Sequence, residues 1–275
     1  MSFTRRQTLG LGLSGLVALG TTIVLPRLAF AQDGGEVSTG DVYPTDSGEI
    51  VIHPVEHASF VLEAAGVVIY VDPVGGAEAY GAYPAPDLIL ITHEHGDHFD
   101  VATIGGLAVE GTKIIANPAV VEMLDADLQA ATEAAALANG ESTTFGDITI
   151  DAIPAYNTTE DRLMYHPQGR DNGYILGIEG RRVYIAGDTE DTPEMRALTD
   201  IDIAFVPMNL PFTMDVNQAA SGVAAFAPGV VYPYHYGDSD LDEFERLLGE
   251  ETDAVEVVRG AWYPEAEAGE QAAAE

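Results

Sequence analysis

From residue 50 onward the chain alternates short apolar runs with polar breaks. Val67-Val68-Ile69-Tyr70-Val71, Leu88-Ile89-Leu90-Ile91 and Val230-Val231-Tyr232-Pro233-Tyr234 are rich in β-branched or aromatic residues and end at Asp, Thr and His. Runs this short, bounded this way, read as buried strands. The same pattern predicts strands over 50–54, 58–63, 67–72, 87–92 and 113–116, then over 147–154, 173–178, 182–186, 202–207 and 229–235. Helical spacing is predicted over 100–108, 119–138, 193–199, 216–226 and 240–248, the second of these as one helix or two ending at Asn139-Gly140. Asp215 with Gln218 resembles a capping box, and Pro228-Gly229 closes the helix it opens. Glu179-Gly180-Arg181 is a hairpin connection in which Gly180 is free to take a positive φ. Strands clustered in each half, with helices interspersed, predict an α/β layered fold with two packed sheets. No repeat is visible, and no linker divides the central segment.

The two ends of the chain read differently. Thr4-Arg5-Arg6-Gln7-Thr8-Leu9 is a twin-arginine start, followed by an apolar, Gly-rich stretch and the small-x-small site Ala29-Phe30-Ala31. Residues 1–31 are therefore expected to be a cleaved signal, an uncleaved anchor being the lesser alternative, since spanning a bilayer takes ~20 apolar residues. The twin-arginine machinery exports folded proteins, so the expected destination is periplasmic or extracellular. Residues 32–47 read as a linker, 48–263 as one domain and 264–275 as an acidic tail.

Composition removes several classes of function. The chain has 45 acidic and 11 basic residues and no cysteine. Three of the arginines lie in the expected signal, leaving 8 basic against 45 acidic residues, a formal −37, in the mature part. Such a surface repels polyanions, so nucleic acid is not an expected partner; screening by concentrated salt is one physical reason to tolerate it. The absence of cysteine excludes disulfides and every thiolate metal site.

The chemistry concentrates in Thr92-His93-Glu94-His95-Gly96-Asp97-His98, directly after the run 88–91. Side chains at i and i+2 of an extended segment share a face, so His93 and His95 can grip one cation together. A turn at Gly96 would swing Asp97 and His98 toward a neighbouring one. Imidazole and carboxylate suit zinc, manganese or iron, and spacing does not choose among them. Other polar residues recur at the carboxyl ends of predicted strands: Asp72, Asp188 and His235. Gathered on one sheet edge, they would build a site on rigid supports.

The order His93-x-His95-x-Asp97-His98, then Gly187-Asp188-Thr189 after a strand, then the late strand-end His235, resembles the metallo-β-lactamase-fold hydrolases over about residues 48–263. His57-Ala58-Ser59-Phe60, Asp72-Pro73 and Tyr234-His235-Tyr236 are similar to the branch of ascorbate-phosphate lactonase-like proteins and N-acyl-phosphatidylethanolamine phospholipase D. The resemblance implies a four-layer αβ/βα sandwich and two divalent metal ions, zinc first, with manganese or iron as alternatives. It places His93 and His95 on the first metal, Asp97, His98 and His235 on the second, and Asp188 between them. The histidine the family carries after the strand at 147–154 is missing, for that place reads Pro154-Ala155-Tyr156-Asn157-Thr158. Either His166 reaches back from its loop, or Asn157 lines the pocket as a weak ligand or substrate contact. Asp72 is expected to orient a metal-bound histidine from behind. His53 and His57 are expected to be structural, with His57 the one that could face the cleft.

The implied function is hydrolysis of an ester, lactone, amide or phosphodiester in a small-molecule substrate by a hydroxide held between two metals. Asp97 and His235 are the expected catalytic groups, Asp97 as a proton acceptor. Met208 to Met214 would form either an apolar pocket wall or a loop packed on the core. A non-catalytic metal-binding or sensing protein on the same fold is the alternative. Nothing in the sequence fixes the oligomeric state.

Overall fold

The computed structural model describes residues 40–263, so the expected signal, residues 32–39 of the expected linker and the tail 264–275 lie outside the described residues. The first half runs β1 (Asp41–Pro44), β2 (Glu49–Glu56), β3 (Ser59–Ala64), β4 (Val67–Val71), β5 (Leu88–Ile91), α1 (Val101–Leu107), β6 (Lys113–Ala116), α2 (Pro118–Met123), α3 (Ala126–Ala131) and β7 (Ala135–Ala136). The second runs β8 (Ser142–Phe145), β9 (Ile148–Ala155), β10 (Asp171–Ile178), β11 (Arg181–Ile185), α4 (Pro193–Arg196), β12 (Ile203–Pro207), α5 (Val216–Phe226), β13 (Val230–Tyr234), α6 (Leu241–Glu251) and β14 (Glu256–Val257). All ten predicted strands are present.

Each half forms one seven-stranded sheet with strands in chain order, β1 to β7 and β8 to β14. In both, the first four strands pair antiparallel and the rest parallel. The repeat that the residues do not display is therefore present in the topology.

The inner faces of the two sheets share one core, in which Phe60 stacks on Phe205 at 4.2 Å and Phe205 on Tyr232 at 5.0 Å, with buried Trp262 edge-on to both phenylalanines. The outer face of the first sheet is covered by α1 and α2 through Ile104, Leu107 and Val120. That of the second is covered by α4, α5 and α6 through Met195, Val223 and Phe244. The layers are helix, sheet, sheet, helix, as expected. A fully buried Phe or Ile contributes ~1.5–3 kcal/mol, so this double-faced burial is the main source of stability.

Several expectations need correction. Residues 41–44 were expected in a linker but form edge strand β1, whose Tyr43 hydroxyl meets that of Tyr232 across the sheets at 2.6 Å. The segment 119–138 is the pair of helices that was one of its two expected forms, broken where Asp125 caps α3, but its end turns into strand β7 instead of staying helical. Edge strands β7, β8 and β14 and a 3-10 turn at Ala77–Tyr80 were not predicted. Of the capping box only half forms: Asp215 accepts from the Gln218 amide nitrogen, while the Gln218 side chain donates to Asp191. The hairpin is as expected, with Gly180 at φ +83°.

Candidate metal centre

The parallel strands of both sheets end on one edge. Asp72 follows β4, His93 follows β5, Asp188 follows β11 and His235 follows β13. This edge is held tightly. The Thr92 carbonyl accepts from the Asn172 amide at 3.1 Å and the Asn117 side chain at 3.0 Å. The Tyr174 hydroxyl of β10 donates to the Ile91 carbonyl of β5 at 2.8 Å, tying the sheets together. Gly187, at φ +64°, lies where a Cβ would meet the Asn172 carbonyl oxygen of its own sheet at 2.7 Å and the Thr92 Cβ of the other half at 3.2 Å, so the close packing here depends on this residue having no side chain.

Among the described residues three groups of donor atoms result, each with its atoms within 4.8 Å of one another: His93, His95 and His166; His57, Asp97 and His235; His93, His98 and Asp188. Asp188 is the hub. Its Oδ2 lies 3.3 Å from both His166 Nε2 and His235 Nε2 and 3.9 Å from His93 Nε2, while its Oδ1 lies 3.3 Å from His98 Nε2. Asp97 Oδ2 is 3.3 Å from His235 Nε2 and 3.5 Å from His57 Nε2. Every imidazole and carboxylate that the sequence offered as a metal ligand is thus brought to one place.

Of His166 and Asn157, the structure brings His166 to the cluster. His166 reaches back from the β9–β10 loop to the cluster. Asn157 instead donates its backbone N–H to the His166 carbonyl at 2.8 Å and its side-chain amide to the carbonyls of Arg162 and Phe212. It fixes the loop that presents His166. His57, the one of the two early histidines that could face the cleft, stands in the site: its ring packs 3.9 Å from that of His235, and its Nδ1 meets the Tyr263 hydroxyl at 2.8 Å. His53 does lie elsewhere, against Glu63 and Tyr83.

The fit to a divalent cation is visible in the atoms left over. His98 Nε2, His166 Nε2 and Asp188 Oδ1 are buried without a hydrogen-bond partner, and all three face the cluster. A buried polar atom left unpaired costs ~1–3 kcal/mol, and here the two ring nitrogens each lie 3.3 Å from an oxygen of Asp188, an arrangement suited to ligands. Behind them stand carboxylates. His98 Nδ1 is 2.8 Å from Asp72 Oδ2, and His166 Nδ1 is 3.0 Å from Asp171 Oδ2. Such partners fix the tautomer that leaves Nε2 free for a metal. Asp72 is itself held by the Thr92 N–H and hydroxyl, both at 2.7 Å, and Asp171 by Arg170.

Electrostatics agree. Burial alone would raise the Asp188 carboxyl, but the imidazoles of His235, His98 and His166 hold it well below the usual carboxylate range. Burial opposes charge on His98 as well, yet Asp188 and Asp72 raise it well above the usual imidazole value. His166 is raised to about 9 against burial by Asp171 and Asp188. His93 is pushed well down by burial and by neighbouring His98. The cluster holds positive charge wherever a carboxylate backs an imidazole, and a cation would take over that role by displacing protons. Three residues here, His57, Asp72 and His235, have φ between +44° and +51°, a left-handed backbone that concentrates at functional sites.

The cluster opens into a cleft of about 370 Å³ lined by His95, Gly96, Asp97, Tyr165, His166, Asp188 and Phe212. Its walls are the β9–β10 loop and the segment 208–214, which fulfils both expectations for it: Met208 and Met214 are buried, whereas Leu210 and Phe212 are exposed. Sequence reasoning missed Asp171, Tyr263 and the buried Glu190. Glu190 accepts from the backbone N–H groups of Thr158 and Thr159 at 2.7 Å and lies 2.9 Å from Arg162. Tyr263 and Glu190 meet partners in distant loops, and Asp171 sits at the start of a strand with no motif to mark its pairing with His166 five residues earlier.

Comparison with known proteins gives a consistent picture. The model of the β-lactamase superfamily domain matches residues 51–235. A metal-dependent hydrolase of Pyrococcus furiosus is 32% identical over 214 residues, covering 72% of this chain and 92% of the relative. A crystal structure from Parabacteroides distasonis, of a protein assigned to the metal-dependent hydrolases, superposes with a TM-score of 0.71 at 44% identity, over 80% of this chain and 97% of that one. A metallo hydrolase from Ignicoccus hospitalis shares the fold at a TM-score of 0.63 and 24% identity, over 76% of this chain and 94% of its own.

Proposed function

Because the chain belongs to the β-lactamase superfamily and its relatives are metal-dependent hydrolases, we propose that it hydrolyses a small molecule with two divalent cations, zinc first, in this cluster. His93, His95 and His166 would hold one ion, Asp97, His98 and His235 the other, with Asp188 between them. The observation that carries this reading is the convergence of the unpaired buried atoms of His98, His166 and Asp188, two of them on carboxylate-backed imidazoles. Cations bound there would lower the pKa of water toward ~7 and polarise the oxygen under attack.

The chain's own groups account for the remaining steps. Asp97 is half-exposed at the cleft, between His235 and His57, and is placed to accept the proton that water gives up. Water adds to an acyl or phosphoryl centre of an ester, lactone, amide or phosphodiester; the bond to the leaving oxygen or nitrogen breaks, and the leaving group takes a proton. His235 orients Asp97, and its own ring is steadied by the His57 ring and by its backbone N–H donating to the His57 carbonyl at 2.9 Å. Residues 1–31 support export through the twin-arginine route, which passes a folded, metal-loaded chain.

Elemental analysis of the folded protein, beside His93→Ala/His95→Ala and Asp188→Asn variants, tests the reading. Near two ions per chain, lost in the variants together with hydrolysis of an ester, lactone or bis-nitrophenyl phosphate, is the expected result. Failure to bind metal after reconstitution would overturn it.

A further inference from the structure

The mouth of the cleft is apolar in a way the rest of the surface is not. Among the described residues seven large hydrophobic side chains are exposed, and four of them, Leu163, Met164, Leu210 and Phe212, lie on the two loops that wall this cleft. Met164 is 77% exposed. A surface so rich in carboxylates has no shortage of polar residues for these positions, so the clustering calls for an explanation.

The loops carrying these side chains are built rather than loose. Tyr165 packs edge-on to Phe212 at 5.0 Å, joining the loops at the cleft wall. Arg162 donates to the Thr213 carbonyl at 2.7 Å, and Asn157 to the Phe212 carbonyl at 2.7 Å. The apolar strip is continuous with the ligand cluster, because Tyr165 and Phe212 line the same cavity as His95, Asp97, His166 and Asp188.

The arginines of the cleft loop are both committed elsewhere. Arg162 is turned inward to Thr213, Thr159 and Glu190. Arg170 is held by Asp171 and Glu94. Neither is available to a carboxylate or phosphate on the part of a substrate that lies along these loops.

We infer that the substrate carries an uncharged alkyl chain or ring beside the bond that is cleaved, and that this group lies on Leu163, Met164, Tyr165, Leu210 and Phe212. This rests on the metal-hydrolase reading and narrows it to apolar-flanked substrates. A substrate with an anionic group in that position is excluded by the same surface.

The test is a binding series on the metal-loaded full chain, read by calorimetry rather than turnover: acetohydroxamate, butano-, hexano- and octanohydroxamate, and an eight-carbon hydroxamate ending in a carboxylate. The expected result is that affinity rises along the series, about 10- to 100-fold from two to eight carbons for a chain half-covered by protein, and that the terminal carboxylate cancels most of the gain. In a Leu163→Ser/Met164→Ser variant, whose side chains are exposed and not part of the core, the octano-to-aceto ratio should fall at least about threefold. A flat series with measurable acetohydroxamate binding overturns this inference and leaves the hydrolase reading intact. So does a slope unchanged in the variant, or a carboxylate-ended probe that binds as well as its neutral counterpart. A chain that takes up no metal and binds no hydroxamate overturns both.

Discussion

His98 stands between two carboxylates: its Nδ1 is 2.8 Å from Asp72 Oδ2 and its Nε2 is 3.3 Å from Asp188 Oδ1. The first contact decides which nitrogen carries the proton, and the second marks where a cation would replace it. His166 repeats the arrangement with Asp171 and Asp188. Asp72→Asn should therefore weaken metal binding at the His98 centre, and Asp171→Asn at the His166 centre, each about 10- to 100-fold. Chelator competition on the two variants would check this, with each expected to lose one ion before the other.

His57 contacts Asp97 and the ring of His235, whereas the shortest approaches to Asp188 come from His98, His166 and His235. His57→Ala should keep both ions, since no ligand of the proposed set is removed. Turnover should fall about 10- to 100-fold, because Asp97 loses a flanking imidazole at the cleft. Metal content and kcat measured on the same preparation decide it. Loss of an ion would instead make His57 a ligand.

Gly187→Ala places a methyl group 2.7 Å from the Asn172 carbonyl oxygen at a left-handed backbone position. The strain and the clash with the neighbouring β10 backbone should cost about 2–4 kcal/mol. Urea unfolding would read this directly, and metal affinity should fall with it, since Asp188 is the next residue.

Glu190 is fully buried beside Arg162 and accepts from two backbone N–H groups. Glu190→Gln leaves the guanidinium without its counter-charge and should destabilise the protein by about 3–5 kcal/mol. Proteolysis in the native state should show the β9–β10 loop opening first. A double variant with Arg162→Met should recover part of the loss.

Removing the proposed ions with a chelator should lower the melting temperature, because a ligand bound only to the folded chain stabilises it by about 2.7 kcal/mol at one hundred times its Kd. Acid should act in the same direction: His166, raised to about 9, and His98, raised well above the usual imidazole value, must give up a proton to bind an ion, so metal affinity should fall as the pH drops below about 9. Differential scanning calorimetry with and without chelator, at two pH values, would show both effects.

The sequence carried the site well because its strongest signals are local. Thr92 to His98 follows an unbroken apolar strand, and the strand ends at Asp72, Asp188 and His235 mark a shared edge without knowledge of the fold. His166 was less legible: a histidine in a loop says nothing about the direction in which the loop folds, which here depends on Asn157, Arg162 and Glu190. The missed strands β1, β7, β8 and β14 are two to four residues long and mostly half-exposed, so they bury too little to leave a pattern. Of the two readings of 119–138, the pair of helices is the one present, divided at Leu124-Asp125, where a side-chain cap outcompetes helix continuation. His57 was only half legible, as a histidine that could face the cleft, because its place follows from a β2–β3 turn that reaches across to the end of β13.

The matching strand order of the two sheets has a mechanical consequence. His57, His93, His95, Asp97 and His98 come from the first sheet's half of the chain, and His166, Asp188 and His235 from the second. Neither half holds a full complement of donors, so an ion bound at this edge would rivet two otherwise self-contained leaves. The energy of metal binding would then resist their parting along the seam where the cleft opens.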